Sequence, residues 1–148
     1  MPVEDLALQL RPACEEVLET MFFTSVLEGH GLPVEFPVDG EPGIGSWLAF
    51  VGEPSGIFQV RTTASAARAL AAGFLGEMDG NVTSERAGEV VCELANMLCG
   101  SVLSRMDETG VFELSHPELA EKWLNSCSAA CRFELPEGPI EVAIDLDS

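Results

Sequence analysis

The chain contains one long stretch, residues 83–106, whose apolar residues recur at the spacing of an α-helix. Thr83 or Ser84 can cap its N-terminus, and Glu85 lies near the positive end of the helix dipole. At 3.6 residues per turn, its side chains divide into a broad apolar side and a polar side. Such a helix is stable only when its apolar side is covered, so this stretch predicts the core helix of a globular domain.

The polar side of this helix carries four residues in nearly one row. They are Glu89, Glu93, Asn96 and Gly100. Glycine inside a helix costs about 1 kcal/mol relative to alanine, so Gly100 needs a local reason. Two reasons are open: close packing against another backbone, or a clearing on the exposed side where a partner can approach.

Length and composition predict a single domain over residues 1–148. Hydrophobic residues make up 47% of the chain and charged residues 22%, which is typical of a globular protein. The acidic N-terminal sequence is unlike a signal peptide, and no apolar run suggests a membrane span. We therefore expect a soluble, cytoplasmic protein.

The formal net charge of −18 argues against nucleic acids and anionic membranes as partners, because no basic surface can neutralise their phosphates. An acidic protein partner would also be repelled at long range, so it would have to be recognised by a local, shape-specific contact. The five cysteines are expected to be reduced and buried. Their spacings, with only His30 and His116 available to join them, predict no metal site.

The remaining pattern predicts alternating helices and strands. A first helix is expected from Pro12 to about Leu27, after a short lead-in over residues 3–10 that forms either a first helical turn or an extended arm. Another helix follows a β-hairpin, with Thr63 or Ser65 as its cap, and ends at Gly76. The predicted strands are residues 34–38, 46–52, 56–62, 111–115, 126–135 and 140–146, and an irregular or helical stretch is expected from Pro117 through Trp123.

The order helix, strand, strand pair occurs twice, which predicts an internal duplication. The first helix carries Glu16 and Glu19 where the long helix carries Glu93 and Asn96. On the first helix we interpret this pair as an ordinary solvated face. The predicted fold class is α/β (α+β), with long helices on one face of a mostly antiparallel sheet of about six strands.

The segment from Glu89 to Gly100, EVVCELANMLCG, resembles the signature helix of the CheX/CheC/FliY chemotaxis phosphatases. That signature is an acidic or serine residue followed four places on by Glu-x-x-Asn, often trailed by a small residue. The order of elements also resembles this family over nearly the whole chain, and Arg61-Thr62-Thr63 ends a strand before an alanine-rich helix. One complete Glu-x-x-Asn site is similar to the CheX-like pattern.

This resemblance implies a phosphatase that hydrolyses the aspartyl phosphate of a response-regulator receiver domain such as CheY. It implies that Asn96 orients the attacking water and that Glu93 pairs with a lysine of the receiver. Glu89 and Gly100 would flank them at the partner surface. The chain would need no cofactor of its own, since the magnesium ion belongs to the receiver. The resemblance also implies a possible homodimer.

Two other interpretations remain open at this point. A CheX-like module could bind a receiver or a flagellar-switch component without hydrolysing anything. Alternatively, Glu93 and Asn96 form only the polar face of a structural helix, and burial of both would favour this interpretation. Neither His30 nor His116 lies in a nucleophile–base motif, so an enzyme acting alone on a small molecule is disfavoured.

Overall fold

A computed structural model describes residues 3–22, 43–106, 110–120 and 127–147. Within these ranges, three α-helices pack on a six-stranded sheet, as the sequence predicts. The helices are α1 (Val3–Met21), α2 (Ala64–Leu75) and α3 (Ser84–Met106). The strands are β1 (Gly43–Val51), β2 (Gly56–Thr63), β3 (Glu113–Leu114), β4 (Glu118–Ala120), β5 (Ala129–Leu135) and β6 (Gly138–Leu146).

The sheet is antiparallel, with the order β3-β1-β2-β6-β5 and with β4 pairing to β1 beside β3. Strands β1 and β2 form one hairpin and β5 and β6 form another, and the second strands of both hairpins pair in the middle. Helix α1 packs on β5, whereas α3 packs mainly on β1. Each long helix therefore covers the hairpin from the other half of the chain, which is consistent with the predicted duplication.

The core lies between the helices and one face of the sheet. Alternate strand residues point into it, among them Leu48, Phe58 and Ile144, which face one another across three paired strands and are fully buried. Helix α3 contributes the apolar side predicted from its periodicity, including Leu94 and Leu98. By length and a mean hydropathy of 1.2, α3 could also cross a membrane, but 56% of that apolar window is buried in the domain. Its apolar side is therefore accounted for as a core surface.

Helix α1 runs over Val3–Met21, so the prediction that it starts at Pro12 is wrong. An interior proline removes one backbone hydrogen bond, but Pro12 lies on the exposed side of the helix. Leu6 and Leu10, in the turns before it, are fully buried, and their burial outweighs that loss. The helix also ends before the predicted Leu27, with a bend at residue 22, and residues 23–42 lie outside the described part of the chain.

The segment after α3 also differs from the prediction. The strand predicted over residues 111–115 shrinks to Glu113–Leu114, and Glu118–Ala120 is a strand rather than an irregular or helical stretch. Both pair with β1, whose outer edge would otherwise lack hydrogen-bond partners. The predicted strand 34–38 and Trp123 fall outside the described residues.

Candidate functional site

The predicted site lies on the outward side of α3. Thr83 caps the helix, since its hydroxyl oxygen accepts a hydrogen bond from the backbone N–H of Arg86 at 3.1 Å. The buried apolar side fixes the rotation of the helix about its axis. As a result, Glu89, Glu93 and Asn96 are all exposed. Burial of Glu93 and Asn96, which would have favoured the purely structural interpretation, is therefore not observed.

Glu93 and Asn96 are close neighbours on the exposed side of α3. Residues three apart on a helix have Cβ atoms about 5–6 Å apart, so the carboxylate and the amide can reach one bound partner together. Within the described ranges, neither side chain makes a hydrogen bond or an ion pair. Glu89 differs, because its Oε2 lies 2.6 Å from Nη1 of Arg86. As far as the described residues go, the row therefore offers one carboxylate and one amide that are not engaged within the domain.

Gly100 continues this row and is partly exposed. A Cβ atom placed on it would have no heavy atom of the described residues within 4 Å, apart from its immediate chain neighbours and the helix backbone. By contrast, a Cβ atom placed on Gly88, which lies on a different face of α3, would be 3.5 Å from both terminal methyl groups of Leu119. Close backbone packing therefore does not explain Gly100. The structure is instead consistent with the other reason, an open space beside Asn96 where a partner can approach.

The C-terminal half of α3 is tied to α1. The hydroxyl of Ser101 donates to the carbonyl oxygen of Ala13 at 3.1 Å, and Arg105 Nη2 lies 2.6 Å from Glu16 Oε2. Glu16 is therefore not only a solvated residue, as predicted, but also half of an interhelical ion pair. Glu19, which stands in the place of Asn96 in the first copy, is exposed.

Two arginines near this site are not predicted from the sequence to have a role. Arg86 and Arg105 are exposed and lie on the same helix as the candidate pair, one on each side of it along the axis. One signal was present in the sequence, because Thr83 is followed three places on by arginine where a helix start favours Glu or Gln.

The cysteines only partly follow the prediction. All five are free, but only Cys14 and Cys99 are buried, and Cys127 is exposed. Burial raises the pKa of the Cys99 thiol to about 12. Among the described residues, no three His, Cys, Asp or Glu side chains are grouped so that they could hold a metal ion.

Comparison with known proteins identifies the family. A profile described as chemotaxis phosphatase CheX matches residues 44–130, a range that includes all of α3 and its polar row. The chain belongs to the CheX family. A search among curated proteins finds no match.

Solved structures of CheX proteins share the whole fold. CheX from Desulfovibrio desulfuricans superposes with a TM-score of 0.73 at 19% identity, covering 97% of this chain and 99% of that one. CheX from Vibrio vulnificus gives 0.75 at 15% identity, with 99% of each chain covered. A complex of CheX with CheY, BeF3 and Mg2+ from Borrelia burgdorferi gives 0.71 at 18% identity, with 95% of this chain and 96% of that one covered.

Proposed function

We propose that this CheX-family protein accelerates hydrolysis of the aspartyl phosphate on a CheY-type receiver domain. The observation that carries the proposal is the pair Glu93 and Asn96, which are exposed on the outward side of α3 and bonded to no other described side chain. Family membership supports the reaction class, and the complex of a similarly folded CheX with CheY supports the partner class.

Hydrolysis of the aspartyl phosphate does not require the CheX-family protein to form a covalent bond with the phosphoryl group. A phosphorylated receiver already holds the acyl phosphate and a magnesium ion, so the helper has to place a water molecule in line with the phosphorus. The amide of Asn96 suits this role because its oxygen accepts a hydrogen bond and its nitrogen donates one. It also brings no negative charge to the phosphoryl group, whereas a carboxylate would be repelled.

Glu93 would hold the receiver in register. A carboxylate pairs strongly with a lysine ammonium through a charge-assisted hydrogen bond. Glu93 is available for such a pair because no described cation is bonded to it, whereas Glu89 is already paired with Arg86. We therefore assign Glu93 to docking and Asn96 to the water, with Glu89 and Gly100 at the margin of the contact.

Replacing Asn96 by alanine tests the catalytic assignment. We expect Asn96→Ala to slow dephosphorylation of a receiver at least about tenfold, which corresponds to about 1.4 kcal/mol in the barrier. Binding to the same receiver loaded with BeF3 and Mg2+ should persist, and the thermal midpoint should be unchanged. Thr20→Ala, on the exposed side of α1, serves as the control.

The outcomes separate catalysis from binding without hydrolysis. Equal hydrolysis rates for wild type and Asn96→Ala would refute the catalytic role. Wild-type protein that binds the loaded receiver without hastening phosphate release would instead be a binding module. Glu93→Ala should weaken binding, and unchanged affinity would remove the lysine-pairing role.

A further inference from the structure

Among the described residues, the exposed cations of this acidic protein lie on α3 and on the neighbouring α2. The chain has 7 Lys and Arg residues against 25 Asp and Glu residues. In the described ranges, the exposed ones are Arg68, Arg86 and Arg105, all on α2 and α3. The other described arginines, Arg11, Arg61 and Arg132, are half-buried and contact carboxylates of α1 or the sheet.

Arg86 stands where a helix disfavours a cation. It is the third residue after the cap Thr83, a position at which Glu or Gln would return a hydrogen bond to the cap. The positive end of the helix dipole also repels it. Its pair with Glu89 runs in the less favourable order, basic before acidic, and the two side chains are 51% and 54% exposed. Stability of α3 therefore does not account for Arg86.

Arg86 lies within the area that a docked protein would cover. It falls on nearly the same row as Glu93, two turns nearer the N-terminus, and at 1.5 Å per residue it is about 15 Å along the helix from Asn96. A typical interface buries about 800 Å² on each partner, which as a disc has a radius of about 16 Å. A receiver centred on Asn96 would therefore reach Arg86.

We propose that Arg86 is a docking residue, which on binding exchanges Glu89 for a carboxylate at the rim of the receiver's phosphoryl pocket. This inference rests on the proposed function, because it takes the receiver to dock over Asn96. A pocket that holds Mg2+ beside a phosphoryl group is lined by carboxylates, so its rim is acidic.

A local cation has a clear electrostatic purpose here. The net charge of −18 repels an acidic partner at a distance. At physiological ionic strength, however, charges are screened beyond about 8 Å, so the groups at the contact decide the interaction once the surfaces approach. An arginine at the margin then favours association where the rest of the surface opposes it.

The test compares binding of Arg86 variants to a CheY-type receiver of the same organism, loaded with BeF3 and Mg2+. We expect Arg86→Gln to bind about threefold more weakly at about 0.05 M salt, mainly through slower association. The difference should vanish near about 1 M salt, where the screening length is about 3 Å. Dephosphorylation at saturating receiver should be unchanged, and the thermal midpoint should stay the same or rise.

Two variants control for charge and for fold. Ala130→Glu makes the same change of one charge on exposed strand β5, away from α3, and should bind like wild type. Arg86→Lys should retain most of the affinity. Unchanged binding by Arg86→Gln, an equal loss in Ala130→Glu, or a lowered thermal midpoint without rescue by lysine would each overturn the inference. Wild type that binds in an Arg86-dependent manner without hydrolysis would refute the proposed catalysis but support this docking role, and absence of any binding would overturn both.

Discussion

Replacing Gly100 by alanine should change stability and activity in opposite directions. A Cβ atom at this position meets no neighbouring atom of the described residues within 4 Å, so the substitution introduces no clash with them. Alanine is favoured over glycine inside a helix by about 0.8–1.0 kcal/mol. In a domain of this size that corresponds to a rise of about 2–4 °C in the thermal midpoint.

A docked receiver would meet that added side chain. Alanine projects only one carbon into the clearing, so Gly100→Ala should lower kcat/KM for the phosphorylated receiver modestly. Gly100→Gln keeps a good helix former but extends several ångströms into the same space, and we expect at least about tenfold loss, or about 1.4 kcal/mol. Both variants should be more stable than wild type in thermal or urea unfolding.

Gly73 provides the matched control within α2. The same substitution there gives the same helix preference, but its Cβ atom would lie 3.2 Å from the carbonyl oxygen of Phe22. Gly73→Ala should therefore gain less stability and leave dephosphorylation unchanged. Gly100→Ala that is no more stable than wild type would show that the space is not open. Gly100→Gln with wild-type kcat/KM would refute the clearing as part of the partner surface.

Three further predictions concern the scaffold. Thr63→Ala should cost about 1 kcal/mol in urea unfolding, because the Thr63 hydroxyl accepts a hydrogen bond from the N–H of Ala66 at the start of α2; no loss would exclude this cap as a stabilising contact. Ser46→Ala should raise stability by about 1 kcal/mol, since the buried Ser46 hydroxyl has no partner among the described residues, and a loss instead would reveal a hydrogen bond there. Between pH 9 and about 12, the Cys99 thiol keeps its proton in the folded protein but loses it in the unfolded chain, so this thiol should lower the free energy of unfolding by about 1.4 kcal/mol per pH unit. Cys99→Ala should make that decrease with pH less steep in urea unfolding, and an unchanged decrease would contradict the raised pKa.

The main elements of the fold could be predicted because they have strong local patterns. Helix α3 follows from its apolar periodicity, and the two hairpins follow from alternating strands around short turns. Strands β3 and β4 have two and three residues, too few to show any alternation, and they exist because the edge of β1 needs partners. The start of α1 was predicted wrongly because the unfavourable effect of Pro12 inside a helix can be read from the sequence. The burial of Leu6 and Leu10, which outweighs that effect, depends on long-range packing and cannot be read in this way.

Some features of the candidate site could be predicted from the sequence and others could not. Exposure of Glu93 and Asn96 follows from helical geometry once the opposite side is assigned to the core. The reason for Gly100 could not be decided, since it depends on which element lies above the helix. The sequence shows that Arg86 is an unfavoured residue at the start of a helix. Its proposed docking role, however, depends on its exposure and on its position in line with Glu93, which only the structure establishes.

The ion pairs of α1 and α3 explain why the two helices present different side chains to a binding partner. Both exposed arginines of α3 are engaged by carboxylates other than Glu93: Arg86 by Glu89, and Arg105 by Glu16 of α1. The first copy thus has its leading carboxylate paired and a second carboxylate in the position of Asn96. In the second copy, Glu93 is bonded to no described cation, and an uncharged amide lies next to it. A phosphoryl group would be repelled at the first copy and accommodated at the second, so the asymmetry of these ion pairs confines the proposed chemistry to α3.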